Sequence, residues 1–238
     1  MASIKPPGLP AFEIRVAAEH DIPALTALII PTFAHYHIEQ MLGNHPSAIE
    51  AASARHLRAH REHIAETGEA SGIKCMALDP NSGEEVMAAC AYWYFFPHPR
   101  SQESMDPSPN YLLSADWVPE ENGEREKMRR CLQPVLTTRR KWVQGRGHAI
   151  LMFMATEPAW RRQGAATAVV RWGLERCREL GIPAFLEASE EGAPVYKGLG
   201  FEVVDTVVME VEGERAEFPV MMWWPPGTEE WEKKPLGE

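Results

Sequence analysis

Residues 148–180 read "HAILMFMATEPAWRRQGAATAVVRWGLERCREL", and this junction constrains the fold more than any other part of the chain. The first nine residues are apolar without alternation, as in a strand covered on both faces. Further on, apolar residues recur at Val169, Val170, Leu174, Cys177 and Leu180, near helical spacing. A strand that enters a helix through a short loop implies a sheet with helices packed against it. The start of such a helix exposes N–H groups that have no intrahelical acceptor, and the macrodipole places its positive end there, so the junction suits an anion. Gly164, Ala165 and Ala166 are small enough to let a phosphate approach the backbone, Arg161 and Arg162 add charge, and Thr167 adds a hydroxyl. The nucleotide patterns GxxxxGK[ST] and GxGxxG are both absent. A tight turn with solvated arginines is the competing reading.

The remaining segments fill in a mixed sheet. Residues 12–18 alternate as a short strand, and 19–33 read as a helix with Asp21 as N-cap, Pro23 in its first turn and Pro31 at its end or a kink. Residues 47–67 read as a second helix stopped by Gly68. Two apolar runs in 72–96 are separated by "DPNSG", the pattern of a hairpin. Residues 97–147 lose this rhythm and read as an insertion of about fifty residues, helical in pieces because Pro134 interrupts it. A helix closed by Gly181 and Pro183, a strand over 183–189, a short helix in "APVYKGLG" and two final strands complete the order. The expectation is an α/β (α+β) fold in a single domain over 12–225, with tails at 1–11 and 226–238.

Composition narrows the function. The formal charge of −10 argues against a sequence-independent hold on nucleic acid, which needs a surplus of cations facing phosphates. Cys75, Cys90, Cys131 and Cys177 have neither CxxC spacing nor the density of a disulfide scaffold. No apolar run approaches the length of a membrane helix, and residues 1–12 carry no signal-like apolar segment. A cytoplasmic protein with reduced thiols, without a membrane or nucleic-acid partner, is the expectation.

"RRQGAA" at 161–166 resembles the [QR]xxGx[GA] signature of the GCN5-related N-acetyltransferases (GNAT), and it lies between a strand and a helix as that signature does. "APVYKGLGFEVV", about thirty residues on, is similar to the family element that follows its fifth strand. The resemblance runs from about 148 to 211. It implies a mostly antiparallel central sheet whose two central parallel strands splay apart, with helices on both sides. It also implies acetyl-CoA as co-substrate, with the pyrophosphate on the backbone amides of the loop and first helical turn, Arg162, Gln163, Gly164, Ala165, Ala166 and Thr167, and Arg161 as a further cofactor-binding residue beside them. The pantetheine arm would lie along Met154, Ala155 and Thr156, and the Tyr196 hydroxyl would protonate the departing thiolate. Ser189 stands where many members carry Asn, seven residues before the tyrosine.

The general base has no equivalent in the strand at 148–156, leaving His148, Glu157, Glu187 or a water chain leading to solvent as candidates. Glu187 is favoured as the catalytic carboxylate because a charge in an apolar strand needs a partner. Phe33, His35, Tyr36 and His37 are candidates for the acceptor pocket, with alternate residues of 93–96 forming part of its wall. His56, His60 and His63 share one helical face, expected to be an exposed polar face rather than a metal site. Residues 120–146 hold eight Lys and Arg against four Glu, which suits either a solvated helix or a cover over the site. The resulting expectation is acetyl transfer to a primary amine, of a small molecule, by a monomer or homodimer with no metal. A non-catalytic acyl-CoA-binding module and a peptide N-acetyltransferase stay open as alternatives.

Overall fold

The computed structural model describes residues 11–32, 46–101, 120, 123–211, 214–230 and 232–235. Seven strands form one sheet: β1 (Glu13–Val16), β2 (Gly72–Leu78), β3 (Glu85–Phe96), β4 (His148–Thr156), β5 (Ala184–Glu187), β6 (Glu202–Val211) and β7 (Glu214–Trp223). Their spatial order is β1-β2-β3-β4-β5-β7-β6, and every neighbouring pair is antiparallel except β4 with β5. The helices are α1 (Ile22–Thr32), α2 (Pro46–Thr67), α3 (Glu124–Val143), α4 (Ala165–Leu180) and α5 (Ala193–Gly198).

Alternation along the strands assigns each side chain to a face. On one face Ile73, Cys75, Ala91, Trp93, Phe95, Leu151 and Leu186 pack with Val169, Val170, Leu174 and Cys177 of α4. On the other, Cys90, Tyr92, Tyr94 and Phe96 meet Ile22, Leu25 and Ile29 of α1 and Ala59 of α2. Ile150, Phe185, Val207 and Met222 on that second face pack with Leu132, Val135, Trp142 and Val143 of α3. Residues 93–96 are therefore core, not pocket wall: all four side chains are buried.

The hairpin turn forms as its residues require. The Asp79 carboxylate accepts from the N–H groups of Asn81 and Ser82 at 2.7 and 3.1 Å, and Gly83 takes the left-handed φ of 71° that closes the turn. At the other helices expectation and structure differ. Asp21 precedes α1, but its carboxylate turns back to accept from Ala18 N–H at 2.9 Å and from the Lys74 ammonium at 2.7 Å. Nor is α3 broken at Pro134; it runs unbroken over 20 residues. Its buried stripe against β6 and β7 offsets the roughly 3 kcal/mol that an interior proline costs. The part of the expected insertion from Glu124 onward thus forms one layer of the core.

The histidine face of α2 is buried rather than exposed. His56 stacks on Tyr92 with centroids 4.6 Å apart, the His60 Nδ1 lies 3.0 Å from the Ser71 hydroxyl, and the His63 Nε2 accepts from Phe95 N–H at 3.2 Å. These separate partners leave no convergent ligand set, and among the described residues no group of three His, Cys, Asp or Glu could hold a metal. Burial pushes His56 and His63 down to about 3, and His148, also buried, down to about 4. Unfolded imidazoles titrate near pH 6.5, so the unfolded state binds more protons than the folded state below that pH. Stability is complete above about pH 6.5 and falls as the pH drops toward 4, by up to about 4 kcal/mol per pH unit near pH 5. Urea midpoints measured between pH 7.5 and 5 are expected to drop steeply below 6.5; a flat profile would mean that these imidazoles titrate alike in the folded and unfolded chain.

Candidate active site

β4 and β5 are in register at only two positions, Ala149 beside Ala184 and Ile150 beside Phe185, with Ala149 N–H donating to Pro183 C=O at 2.8 Å. Beyond them the strands part. The β4 register also slips there: Phe153 lies opposite Tyr92 and Leu151 opposite Trp93, leaving Met152 as the extra residue of a bulge. A bulge re-aims backbone groups and side chains, here at the apex of the opening. The gap holds a cavity of about 440 Å³ that extends from the start of α4 to α5.

One wall of this cavity is the free edge of β4, with Leu151, Met152, Phe153, Met154 and Thr156. The loop after it contains Arg162 at a φ of 61° and Gly164 at 96°. Positive φ at a non-glycine residue is uncommon and clusters at functional turns. The first bond of α4 is Ala168 N–H to Gly164 C=O at 2.9 Å, and no side chain caps the helix. The N–H groups of Ala165, Ala166 and Thr167 therefore face out of the helix end, where the positive pole of the dipole lies. Arg161, Arg162, Gly164, Ala165, Ala166 and Thr167 all line the cavity. A Cβ built on Gly164 would find only the Phe12 ring, 3.9 Å away, so the approach to these amides is open.

Glu187, Ser189, Gly192, Val195 and Tyr196 form the other wall. Tyr196 is buried in the core on the α4 face, its ring edge-on to Phe201 at 5.7 Å, and burial pushes its phenol well above the usual range. It stays protonated at neutral pH. A Cβ on Gly192 would lie 3.1 Å from both the Tyr196 ring and the Ser189 hydroxyl, so the tyrosine occupies space that a side chain at 192 would claim. The Ser189 hydroxyl accepts from Gly192 N–H at 3.0 Å and so helps to close the turn into α5. The Glu187 carboxylate takes two bonds from the Arg139 guanidinium, at 2.7 and 2.8 Å.

Not every anticipated residue reaches the cavity. The Ala155 side chain is buried among Tyr92, Tyr94 and Phe153 on the α1 face, so its contribution to the cleft is confined to backbone. The Gln163 amide donates to Ala159 C=O at 2.7 Å and braces the loop, and Arg161 Nε makes a longer bond of 3.4 Å to Thr156 C=O. Glu157 is exposed beyond the end of β4, and His148 is buried at its start with Nδ1 2.8 Å from Arg146 C=O. Neither lines the opening, which leaves Glu187 as the member of that trio in the cleft. Phe33, His35, Tyr36 and His37 lie outside the described residues. Sequence reasoning missed Thr32 and Met152, which line the cavity, and Arg139 behind it. The signal for Arg139 is an arginine set within the buried stripe of Leu132, Val135, Trp142 and Val143.

Comparison with known proteins gives consistent results. Residues 130–201 match the model of a family described as the acetyltransferase (GNAT) family. An acetyltransferase of Stachybotrys chartarum (strain CBS 109288 / IBT 7711) is 33% identical over 72 residues, which is 30% of this chain and 31% of that protein. Among solved structures, a mosquito arylalkylamine N-acetyltransferase-like protein superposes with a TM-score of 0.59 at 9% identity, covering 90% of this chain and all of its own. An agmatine N-acetyltransferase variant gives 0.57 at 11% identity, covering 90% and 100%. At such identities the two structures speak for the fold alone. No helix among the described residues is long and apolar enough to cross a membrane.

Proposed function

We propose, for a chain that carries a GNAT acetyltransferase domain, that it transfers the acetyl group of acetyl-CoA to the primary amine of a small molecule. The observation that carries this reading is the parting of β4 and β5 after two residue pairs, which opens one continuous cleft from the α4 N-terminus to Tyr196 and Glu187. In this reading the pyrophosphate rests on the amides of Ala165, Ala166 and Thr167, with Arg161 and Arg162 beside it. The pantetheine arm lies along the unpaired edge of β4 from Leu151 to Thr156, where backbone N–H and C=O groups lack a strand partner. A thioester carried by that arm reaches the bulge at Met152, near the apex of the opening.

The chemistry then needs three groups. A neutral amine attacks the thioester carbonyl carbon, the C=O electrons move to oxygen, and backbone N–H groups stabilise the oxyanion. As the oxyanion collapses, the C–S bond breaks and the thiolate takes the Tyr196 phenolic proton, which solvent later restores. Glu187 receives the proton that the amine loses. Glu187 and Glu191 are the carboxylates that line this cavity, against Arg161 and Arg162 at its phosphate end, so an ammonium is guided to the end away from the cofactor charge. A screen of small primary amines, among them 2-phenylethylamine and agmatine, tests the reading by free CoA thiol released. Amine-dependent release with a matching N-acetyl product is the expected result. Binding of acetyl-CoA with no transfer to any amine would favour a non-catalytic acyl-CoA sensor instead.

A further inference from the structure

We propose that Arg139 is a positioning residue that clasps the two walls of the cleft where they part and fixes the Glu187 carboxylate in its floor. The inference rests on the acetyl-transfer reading of the cleft. Ile150 and Phe185 are the last residues of β4 and β5 in ladder register, and the next residues on the same face of each strand are Met152 and Glu187. Arg139 touches both. Its Nε and Nη2 donate to the two Glu187 oxygens at 2.7 and 2.8 Å, and Nη2 lies 3.4 Å from the Met152 sulfur. The guanidinium thus bridges the gap at the point where backbone hydrogen bonding between the strands ends.

The pair is shielded from water, with Arg139 side-chain exposure at 4% and Glu187 at 14%. Bidentate guanidinium–carboxylate geometry fixes direction as well as distance, which a lysine cannot reproduce. Arg139 is itself held by its helix. Leu132, Val135, Trp142 and Val143 bury the same side of α3, while Trp142 Nε1 and the Lys141 ammonium each reach Asp205 of β6 at 2.9 Å. A helix outside the strand–loop–helix junction therefore sets the orientation of the carboxylate that receives the proton.

The test is a double-mutant cycle with Arg139→Met, Glu187→Gln and the combined variant, with Arg139→Lys as a milder companion that retains charge if Arg139→Met does not fold. CoA release is followed with 2-phenylethylamine as acceptor and, in the same assay, with water as acceptor, because Glu187 would take the proton from either nucleophile. Arg139→Met is expected to lower kcat about tenfold while the KM for acetyl-CoA stays within about twofold, and the combined variant should be no slower than the slower single variant. Arg139→Lys should fall between wild type and Arg139→Met. Multiplying effects in the combined variant, or an unchanged kcat in Arg139→Met or Arg139→Lys, would overturn the clasp while leaving the acetyl-transfer reading intact. Absence of calorimetric acetyl-CoA binding to the wild type would overturn that underlying reading and the clasp with it.

Discussion

Tyr196→Phe is expected to lower turnover by about a hundredfold or more while leaving CoA affinity nearly unchanged, since a positioned general acid contributes roughly 10²–10⁴ to rate. The substitution removes one oxygen and keeps the ring that packs against Phe201. Core volume hardly changes, so the melting temperature should stay close to wild type. Burial already holds the phenol in its protonated form, and its position on the cleft wall opposite the β4 edge suits delivery of that proton to sulfur. Acetyl-CoA titration calorimetry beside steady-state CoA release separates the two properties. Equal loss of binding and turnover would assign Tyr196 to cofactor packing, and full activity would move the proton donor elsewhere.

Gly173→Ala should destabilise the fold by about 2 kcal/mol or more, against the usual helical preference for alanine over glycine of up to about 1 kcal/mol. A Cβ at this position would fall 2.2 Å from Cε2 and 2.4 Å from Cζ2 of Trp93. That indole is fully buried and lies nearly parallel to Phe95, with 5.7 Å between centroids, so it has no free direction in which to yield. The helix must instead lift from the sheet, loosening Val169, Val170 and Leu174 from the same core. Gly198→Ala is the internal control, because nothing lies within 4 Å of a Cβ there. Denaturant unfolding should place Gly173→Ala well below wild type and Gly198→Ala near it. Trp93→Phe in the Gly173→Ala background should recover part of the loss by removing the clashing ring, a coupling that additive effects would deny.

The parts of the molecule legible in the sequence are those in which neighbours along the chain are also neighbours in space. The strand at 148–156, the helix that follows it and the αL glycine 181 that ends that helix can be read from period and residue type, because each is set by local backbone preference. The DPNSG turn is legible for the same reason. What failed to show depends on pairing across the fold. On α2, His56, His60 and His63 look like a polar face, yet they lie against the aromatic side of β3; Arg58 and Glu62, paired with each other, mark the truly exposed side. Pro134 suggested a broken helix because the sheet that holds α3 in place is formed mostly by residues that follow it. Arg139 and Glu187, 48 residues apart, meet only once α3 has docked. A buried arginine within an apolar stripe calls for a carboxylate but does not say which one.

The most direct test of the central claim, that the gap between β4 and β5 with the α4 N-terminus is an acetyl-CoA site, is the melting temperature of the wild-type chain with and without acetyl-CoA. At a hundredfold excess over Kd a ligand specific to the folded state adds about 2.7 kcal/mol, which for a chain of this size corresponds to a rise of roughly 5–10 °C. The expected result is a saturable rise with acetyl-CoA and with CoA, and a smaller rise with pantetheine, which lacks the pyrophosphate. No rise with any acyl-CoA at millimolar concentration would contradict the assignment of this cleft.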